Sequence, residues 1–197
     1  MFDRLLQQAD AQGLLDWRVH FVDGTVMRAH QHAAGARGGQ TGQALGRSRG
    51  GFSTKIHVRA EGGGRPVAFL LSGGERHEAR FLAPLMQAGR VKRLGRGRPR
   101  HRPAMVVGDR GYSYLSLRMF LSKHKIRAVI PVRRDQQAWG TFDRDVYRER
   151  NQVERLISRL KRHRRVATRY EKLATTYGAM VTLACVLEWL PPFAHTP

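Results

Sequence analysis

The segment that most constrains the fold is a run of apolar residues that ends in an acid. Residues 104–107 (Ala-Met-Val-Val) are apolar throughout and are followed by Gly108 and Asp109. Continuous apolar runs of this length are typical of strands that are buried on both faces of a sheet. Residues 128–132 form a second run of this kind. We therefore predict two buried strands in a sheet that carries helices on its faces.

Three further strands are predicted before these two. Residues 18–26 and 52–60 alternate between inward and outward positions and are rich in β-branched side chains, and residues 66–72 form a short apolar run. One glutamate and three glycines at 61–64 indicate a tight turn between the second and third segments. The expected fold class is thus α/β, a mixed sheet with three antiparallel strands followed by parallel strands.

Helical periodicity predicts the elements that cover this sheet. Apolar residues recur at helical spacing over 1–16, 78–88 and 146–165, and the segment 173–190 is apolar nearly all round. Ser113 is expected to cap a further helix that runs to about residue 123. The last helix, being apolar on every side, is expected to pack against the sheet.

The charge of the chain indicates a polyanionic partner. Lys and Arg number 36 against 15 Asp and Glu, which gives a net charge of +21. Such an excess favours binding to nucleic acid, because neutralising phosphates releases counterions. Two glycine- and arginine-rich stretches, 33–51 and 90–103, are predicted basic loops that either contact DNA or are solvated insertions. Composition alone leaves a structural nucleic-acid binder as plausible as an enzyme.

The apolar segments indicate a soluble protein. The first ten residues lack the uninterrupted apolar stretch of a signal peptide. Segment 177–193 is the most apolar but contains Glu188, and it is shorter than the roughly 20 residues that span a bilayer. The single cysteine, Cys185, lies in this segment and is expected to be a reduced core residue. We expect a cytoplasmic, nucleoid-associated protein without a membrane partner.

Three carboxylates are candidates for catalysis. Asp23 lies in an otherwise apolar strand, where an ionised carboxylate is costly unless it is paired or bound to a metal. Asp109 ends a buried strand, where open α/β sheets place their ligand sites. Glu154 lies on an amphipathic helix. Together they could bind two Mg²⁺ ions, which prefer oxygen ligands, and ions about 3.5–4 Å apart catalyse phosphodiester displacement.

Each acid also has an ordinary interpretation. Asp23 and Asp109 each stand near a glycine and could be turn residues, and Asp109 could form a salt bridge. Glu154 could form a surface ion pair with Arg150, four residues earlier. Of nine histidines none shows the paired spacing of zinc ligands. Glu78, directly after the third strand, is expected to act at a helix N-terminus rather than in catalysis.

The helix at 146–165 adds a pattern to the third acid. Tyr147, Arg150, Glu154 and Lys161 are spaced by three, four and seven residues and so share one helical face. Apolar residues, among them Leu156, anchor the helix on another side. A carboxylate between two cations can ligate a metal while the cations hold DNA phosphates.

This stripe resembles the signature of the DDE transposases of bacterial insertion sequences, in the insertion-sequence-four and -five groups. Their spacing, Tyr-two-Arg-three-Glu-six-Lys, is matched by the four residues of the stripe. The segment Val22-Asp23-Gly24-Thr25 looks like the first-acid segment of that family. The second-acid segment is similar to residues 107–112, and residues 169–173 resemble the stretch after the signature helix. The resemblance covers roughly residues 18–190.

The resemblance implies a ribonuclease-H-like fold and a specific activity. Members of the family cleave DNA at insertion-sequence ends and transfer the strands, so Asp23, Asp109 and Glu154 would be the catalytic metal ligands. Two Mg²⁺ ions, which Mn²⁺ can replace, would be the cofactors. Tyr147 and the two cations of the stripe, Arg150 and Lys161, would contact DNA near the scissile bond. Expected partners are the terminal inverted repeats, target DNA and further copies of the chain.

The N-terminal region departs from the family pattern. Only 22 residues precede Asp23, whereas members of this family usually carry a DNA-recognition region there. We therefore expect residues 1–17 to be a short helix left from such a region, 18–190 to be the catalytic domain and 191–197 to be a tail. A separately encoded N-terminal half is a further expected partner. The alternatives are a partial or inactive transposase that only binds DNA, and a nuclease that only hydrolyses it.

Overall fold

The central strand of the sheet is β1 (Val19–Ala29). It pairs antiparallel with β3 (Gly51–Glu61) on one side and parallel with β5 (Met105–Val107) on the other. The sheet continues antiparallel from β3 to β4 (Pro66–Gly73) and parallel from β5 to β6 (Arg127–Val129). The predicted mixed sheet is confirmed. The computed structural model describes residues 1–37, 39–48, 50–136 and 141–190, and so not the predicted tail at 191–197.

Two short strands complete the sheet. Strand β2 (Gly46–Ser48) pairs antiparallel with the start of β3, and β7 (Thr168–Arg169) pairs parallel with the end of β1. Strand β2 corrects the prediction of a loop throughout 33–51, because this stretch pairs with backbone groups that β3 would otherwise leave free. A 3₁₀-helix at Gln31–Ala34 also lies partly within it. The second basic stretch, 90–103, is a loop closed by one antiparallel bridge between Val91 and Arg100.

The helices are shorter than their sequence patterns predicted. The segment 146–165 is divided among three helices, and the segment 78–88 begins as a 3₁₀-helix at Glu78–Phe81. The helix expected over 1–16 ends at Ala11. The α-helices are α1 (Phe2–Ala11), α2 (Leu82–Ala88), α3 (Leu115–Lys123), α4 (Arg144–Arg148), α5 (Asn151–Arg162), α6 (Arg164–Ala167) and α7 (Ala174–Leu187). None in the described part of the chain is long and apolar enough to cross a membrane.

Ser113 does not cap α3, contrary to the sequence-based expectation. Tyr114 occupies the N-cap position and makes no side-chain capping hydrogen bond. The Ser113 hydroxyl instead donates to Gln136 Oε1 at 2.6 Å and accepts from Arg118 Nη2 at 3.3 Å. The hydroxyl is thus used in a tertiary contact that no local pattern indicates.

The sheet buries apolar side chains on both faces. On one face, Phe21 and Ile56 pack with Leu156 of α5 and Tyr177 of α7. On the other face, the alternate positions of the same strands pack against α2, α3 and their flanking segments, as Val22 does with Leu85. Burial on both sides explains why the strands read as nearly continuous apolar runs. It also determines towards which face of the sheet each polar side chain of β1 points.

Candidate active site

The sheet opens into a crevice beside the middle of β1. Strand β1 pairs with β5 only from Val19 to Phe21 and meets β7 only at Arg28 and Ala29. Along that edge, none of the described strands pairs with residues 22–27. Such openings at the carboxyl ends of parallel strands are where α/β sheets bind their ligands.

Asp23 lies on the wall of this crevice and is largely buried, with 9% of the residue exposed. Its Oδ1 accepts a hydrogen bond from the Gly24 N–H at 2.8 Å, and its Oδ2 accepts from Arg150 Nη2 at 2.9 Å. The pKa of Asp23 is nevertheless raised to about 6, mainly by burial and to a lesser extent by the charges of Asp109 and Glu78. The Arg150 guanidinium lowers the pKa but does not compensate for the lost hydration.

Asp109 follows β5 at the same opening. It is the N-cap of a 3₁₀-helix (Arg110–Tyr112), and its Oδ1 accepts from the Gly111 N–H at 2.8 Å. The carboxylate charges of Asp109 and Asp23 repel each other, as the raised pKa of Asp23 reflects. The structure therefore brings the first two predicted acids to one place, from two neighbouring parallel strands.

Glu154 is joined to this place through Arg150. Arg150 is the N-cap residue of α5, and its Nη1 donates to Glu154 Oε1 while its Nη2 donates to Asp23. The ion pair four residues apart that was the ordinary interpretation of Glu154 is thus present, and the same guanidinium also holds Asp23. Burial lowers the pKa of Arg150, but the neighbouring carboxylates outweigh it and the net shift is upward.

The predicted stripe spans two helices. Tyr147 lies in α4, Arg150 stands between two helices, and Lys161 is exposed in the last turn of α5. The Tyr147 ring is half-buried, lies 5.2 Å from the Phe142 ring and packs against the core. The backbone keeps helical dihedral angles at Glu149 and Arg150, and Arg150 pairs with Glu154 four residues later and also with Asp23.

The donor set of the crevice fits a hard divalent cation. Carboxylate oxygens of Asp23, Asp109 and Glu154 are the ligands that Mg²⁺ prefers. Among the described residues, no three acidic, histidine or cysteine side chains are already arranged to hold a metal. The reason is local, because the Arg150 guanidinium stands between Asp23 and Glu154. A cation shared by these two carboxylates requires Arg150 to move aside.

A fourth carboxylate at the crevice differs from its sequence-based interpretation. Glu75 or Glu78 was expected to cap a helix; Glu78 does begin the 3₁₀-helix, but His77 is the N-cap residue, with its Nδ1 accepting from the Ala79 N–H at 3.2 Å. The Glu78 carboxylate instead pairs with Lys55 Nζ at 3.1 Å, with both side chains mostly buried. The position of Glu78 directly after the third strand was a signal for it, whereas nothing in the sequence indicates Lys55.

Tyr112 closes the floor of the crevice. Its side chain is 1% exposed, and its hydroxyl has no hydrogen-bond partner among the described residues. Burial raises the pKa of Tyr112, and the charges of Glu78, Asp23 and Asp109 raise it further, in that order. A buried hydroxyl without a partner beside several carboxylates is a free donor for the site.

Comparisons with known proteins identify the family of this chain. A family model described as Transposase DDE domain matches residues 17–189. The protein assigned as transposase for insertion sequence element IS402 of Burkholderia cepacia is 34% identical over 134 residues, 68% of this chain and 61% of that protein. The one for IS6501 of Brucella ovis is 30% identical over 140 residues, 71% of this chain and 99% of that protein. The chain thus spans under two thirds of the first relative and nearly all of the second.

A solved structure supports the fold. The cryo-EM structure of the piggyBac transposase synaptic complex with hairpin DNA matches with a TM-score of 0.54 at 12% sequence identity. The match covers 87% of this chain and 46% of that chain. At this identity the likeness concerns the fold alone. It confirms the mixed sheet with flanking helices as ribonuclease-H-like.

Proposed function

This chain belongs to the transposase DDE domain family, and from that membership we propose that it cleaves DNA at insertion-sequence ends and transfers the strands. The single observation that carries the proposal is the Arg150 bridge. It joins Asp23 of the central strand to Glu154 of α5, beside Asp109 at the end of β5. Two carboxylates that are far apart in sequence thus share one guanidinium, and Asp109 lies at the end of the neighbouring parallel strand, in the order of the family motif.

We assign Asp23, Asp109 and Glu154 as ligands of two Mg²⁺ ions, which Mn²⁺ can replace. Bound divalent ions would activate the attacking oxygen and stabilise the leaving oxygen of a phosphodiester. The protein contributes oxygen ligands and, at Asp23, surroundings that are partly shielded from water. Burial of Asp23 makes its negative charge costly, and that cost favours binding of a cation.

Arg150 would exchange partners when substrate binds. Without ligand, its guanidinium neutralises Asp23 and Glu154. With cations on those carboxylates, the guanidinium is released beside the site and can grip a DNA phosphate through two N–H groups. Exposed Lys161, two turns along α5 from Glu154, would hold a phosphate further away, and Tyr147 would contact DNA at the other side of Arg150.

The partners follow from charge and from the relatives. A net charge of +21 supports double-stranded DNA as the partner, both terminal inverted repeats and target DNA. The relatives of this chain are proteins assigned as transposases of insertion sequences. We propose that 18–190 is the catalytic domain. Further copies of the chain would complete the assembly on DNA in the cytoplasm.

The test is cleavage of a plasmid that carries the inverted repeats flanking this coding sequence. With Mg²⁺, the protein is expected to nick or cut at the repeat ends, and Asp109→Asn is expected to lower the rate by about 10³-fold or more. Asp145→Asn is the matched control, because Asp145 is an exposed carboxylate in a surface pair. Cleavage that survives Asp109→Asn would contradict the assigned site.

The same assay separates the alternatives. Joining of the cleaved ends into a second plasmid distinguishes a transposase from a nuclease that only hydrolyses DNA. Binding of repeat DNA without Mg²⁺-dependent cleavage by the wild-type protein would identify a partial transposase that acts only as a basic DNA-binding protein.

A further inference from the structure

Glu78 reaches the crevice from the face of the sheet opposite Asp23. Asp23 points towards α5, where Arg150 holds it. The next residue, Gly24, points to the other face, where α2 and the 3₁₀-helix that begins at Glu78 lie. Because β1 has lost its pairing with β5 at this point, the two faces communicate through the crevice. A side chain from the second face can therefore approach the acids of the first.

Gly24 makes room for this approach. A Cβ atom at Gly24 would lie 2.8 Å from Glu78 Cγ and 3.2 Å from its Oε1, closer than real Cβ contacts. The Glu78 side chain thus lies across the position directly after Asp23. The family-like sequence Asp-Gly at this place has a physical reason, because a side chain here would push the fourth carboxylate out.

Gly111 makes room for Glu78 on the side of Asp109. A Cβ atom there would lie 2.9 Å from Asp109 Oδ1 and 3.1 Å from Glu78 Oε2. Oxygens of two carboxylates are therefore within 3.1 Å of one point in space. Like charges at this range repel, unless a cation or a proton lies between them or other partners neutralise them.

Lys55 supplies that neutralisation in the protein alone. Its Nζ lies 3.1 Å from Glu78 Oε1, and its side chain is 12% exposed. It contacts one oxygen of Glu78, and Oε2 is the oxygen that faces Gly111 and Asp109. The Tyr112 side chain is 1% exposed, and its hydroxyl has no hydrogen-bond partner among the described residues.

We infer that Glu78 is a fourth carboxylate ligand of the divalent-cation centre, sharing a cation with Asp109 through Oε2. The inference rests on the proposed function, since it assumes a cation at Asp109. Glu78 enters from the α2 face, opposite the Asp23–Arg150–Glu154 side. Lys55 holds the carboxylate in place before the cation arrives.

The test is Mn²⁺ binding to the full chain without DNA, measured by calorimetry and by the electron paramagnetic resonance of free Mn²⁺. Glu78→Gln keeps the shape of the side chain and is expected to weaken binding by about tenfold or more. Glu75→Gln is the matched control, because Glu75 is three residues earlier and pairs with Arg76 on the surface. Circular dichroism of each variant checks that it is folded.

Asp109→Asn separates this inference from the proposed function. If Asp109→Asn weakens Mn²⁺ binding and Glu78→Gln does not, the centre exists and Glu78 is no ligand. If neither variant changes binding, or the wild-type protein does not bind Mn²⁺, the proposed centre itself is wrong. Loss with Glu78→Gln alone would exclude a cation shared with Asp109.

Two further variants separate ligation from a structural role. Lys55→Met removes a competing cation and is expected to tighten Mn²⁺ binding by about threefold, provided Glu78 is present. Gly24→Ala should displace Glu78 and weaken binding as Glu78→Gln does. Gly178→Ala is its control, because a Cβ there meets only Leu71 at an ordinary 3.7 Å. If Glu78 serves only to pair with Lys55, both variants leave Mn²⁺ binding unchanged.

Discussion

At the scale of single residues, the site holds the Asp23 carboxylate in surroundings that disfavour its ionised form. Asp23 is buried, and its pKa stays raised to about 6 although Arg150 lies 2.9 Å away. The free-energy cost of desolvating the buried charge exceeds the stabilisation that one partly exposed guanidinium provides. A binding site for a cation has this property, because the ion recovers free energy that folding alone does not.

The raised pKa of Asp23 predicts a pH-dependent stability. Because the folded-state pKa of about 6 lies above the unfolded value near 3.9, the proton bound to Asp23 stabilises the fold. This stabilisation is complete below the unfolded pKa and is lost as pH rises through about 6. Relative to Asp23→Asn, the wild-type free energy of unfolding should fall by about 3 kcal/mol from pH 3.5 to pH 7.5. Urea unfolding of both proteins measures it, and a constant difference would contradict it.

Removal of the Arg150 guanidinium should affect cation and DNA in opposite directions. Arg150→Gln frees Asp23 and Glu154 from a competing cation, so Mn²⁺ affinity without DNA should rise by about tenfold. Affinity for repeat DNA should fall, because a phosphate-binding fork is lost. Calorimetry and fluorescence anisotropy measure the two. Arg148→Gln is the control, since Arg148 is exposed and pairs with Asp145, and a fall in both affinities would contradict the exchange of partners.

At the scale of elements, α5 positions the third acid. Its buried residues pack on the β1–β3 side of the sheet while Glu154 stays exposed at its first turn. Arg150, the N-cap residue of this helix, pairs with both Asp23 and Glu154. Packing of one apolar face therefore determines where the Glu154 carboxylate lies.

Leu156 is the residue on which the anchoring of α5 is best tested. Its side chain is fully buried between α5 and the sheet. Leu156→Ala should lower the free energy of unfolding by about 2–5 kcal/mol, because it leaves a cavity. The exposed neighbour Arg155→Ala should change it by about 0.5 kcal/mol or less. Urea denaturation compares them, and equal effects would show that α5 is not held by this face.

At the scale of the whole molecule, charge and topology act separately. The sheet carries Asp23 and Asp109 and α5 carries Glu154, while the chain as a whole has an excess of +21 positive charges. A polyanion is thereby attracted from a distance, and the carboxylates act only after cations bind.

The salt dependence of DNA binding tests which cations lie on the DNA path. Each phosphate contact adds about 0.9 to the slope of log affinity against log salt concentration. Lys161→Ala should reduce that slope by about this amount. Lys123→Ala should not, because Lys123 ends α3 near the start of β6, at the opposite end of the sheet from Asp109. Anisotropy titrations at several salt concentrations measure both, and equal slopes would place Lys161 away from the DNA.

The sequence by itself determined five of the seven strands of the sheet and singled out the three acids as candidates. The apolar run before Asp109 and the alternation around Asp23 indicate which strand residues are buried. The sequence can show this because buried positions along a strand follow the local spacing of apolar residues. The spacing from Tyr147 to Lys161 sufficed for a family resemblance, and the family model over 17–189 confirms it. Whether these acids are the catalytic ones stays a prediction.

Only the tertiary structure decided how polar side chains meet. Arg150 pairs with Asp23, 127 positions away, and the open edge of β1 admits Glu78 beside Gly24 and Asp109. The Ser113 hydroxyl likewise donates to Gln136, which is distant in sequence, instead of capping the helix beside it. Hydrophobic periodicity records which face of an element is buried. It does not record which polar groups become neighbours, because that depends on how elements pack in three dimensions.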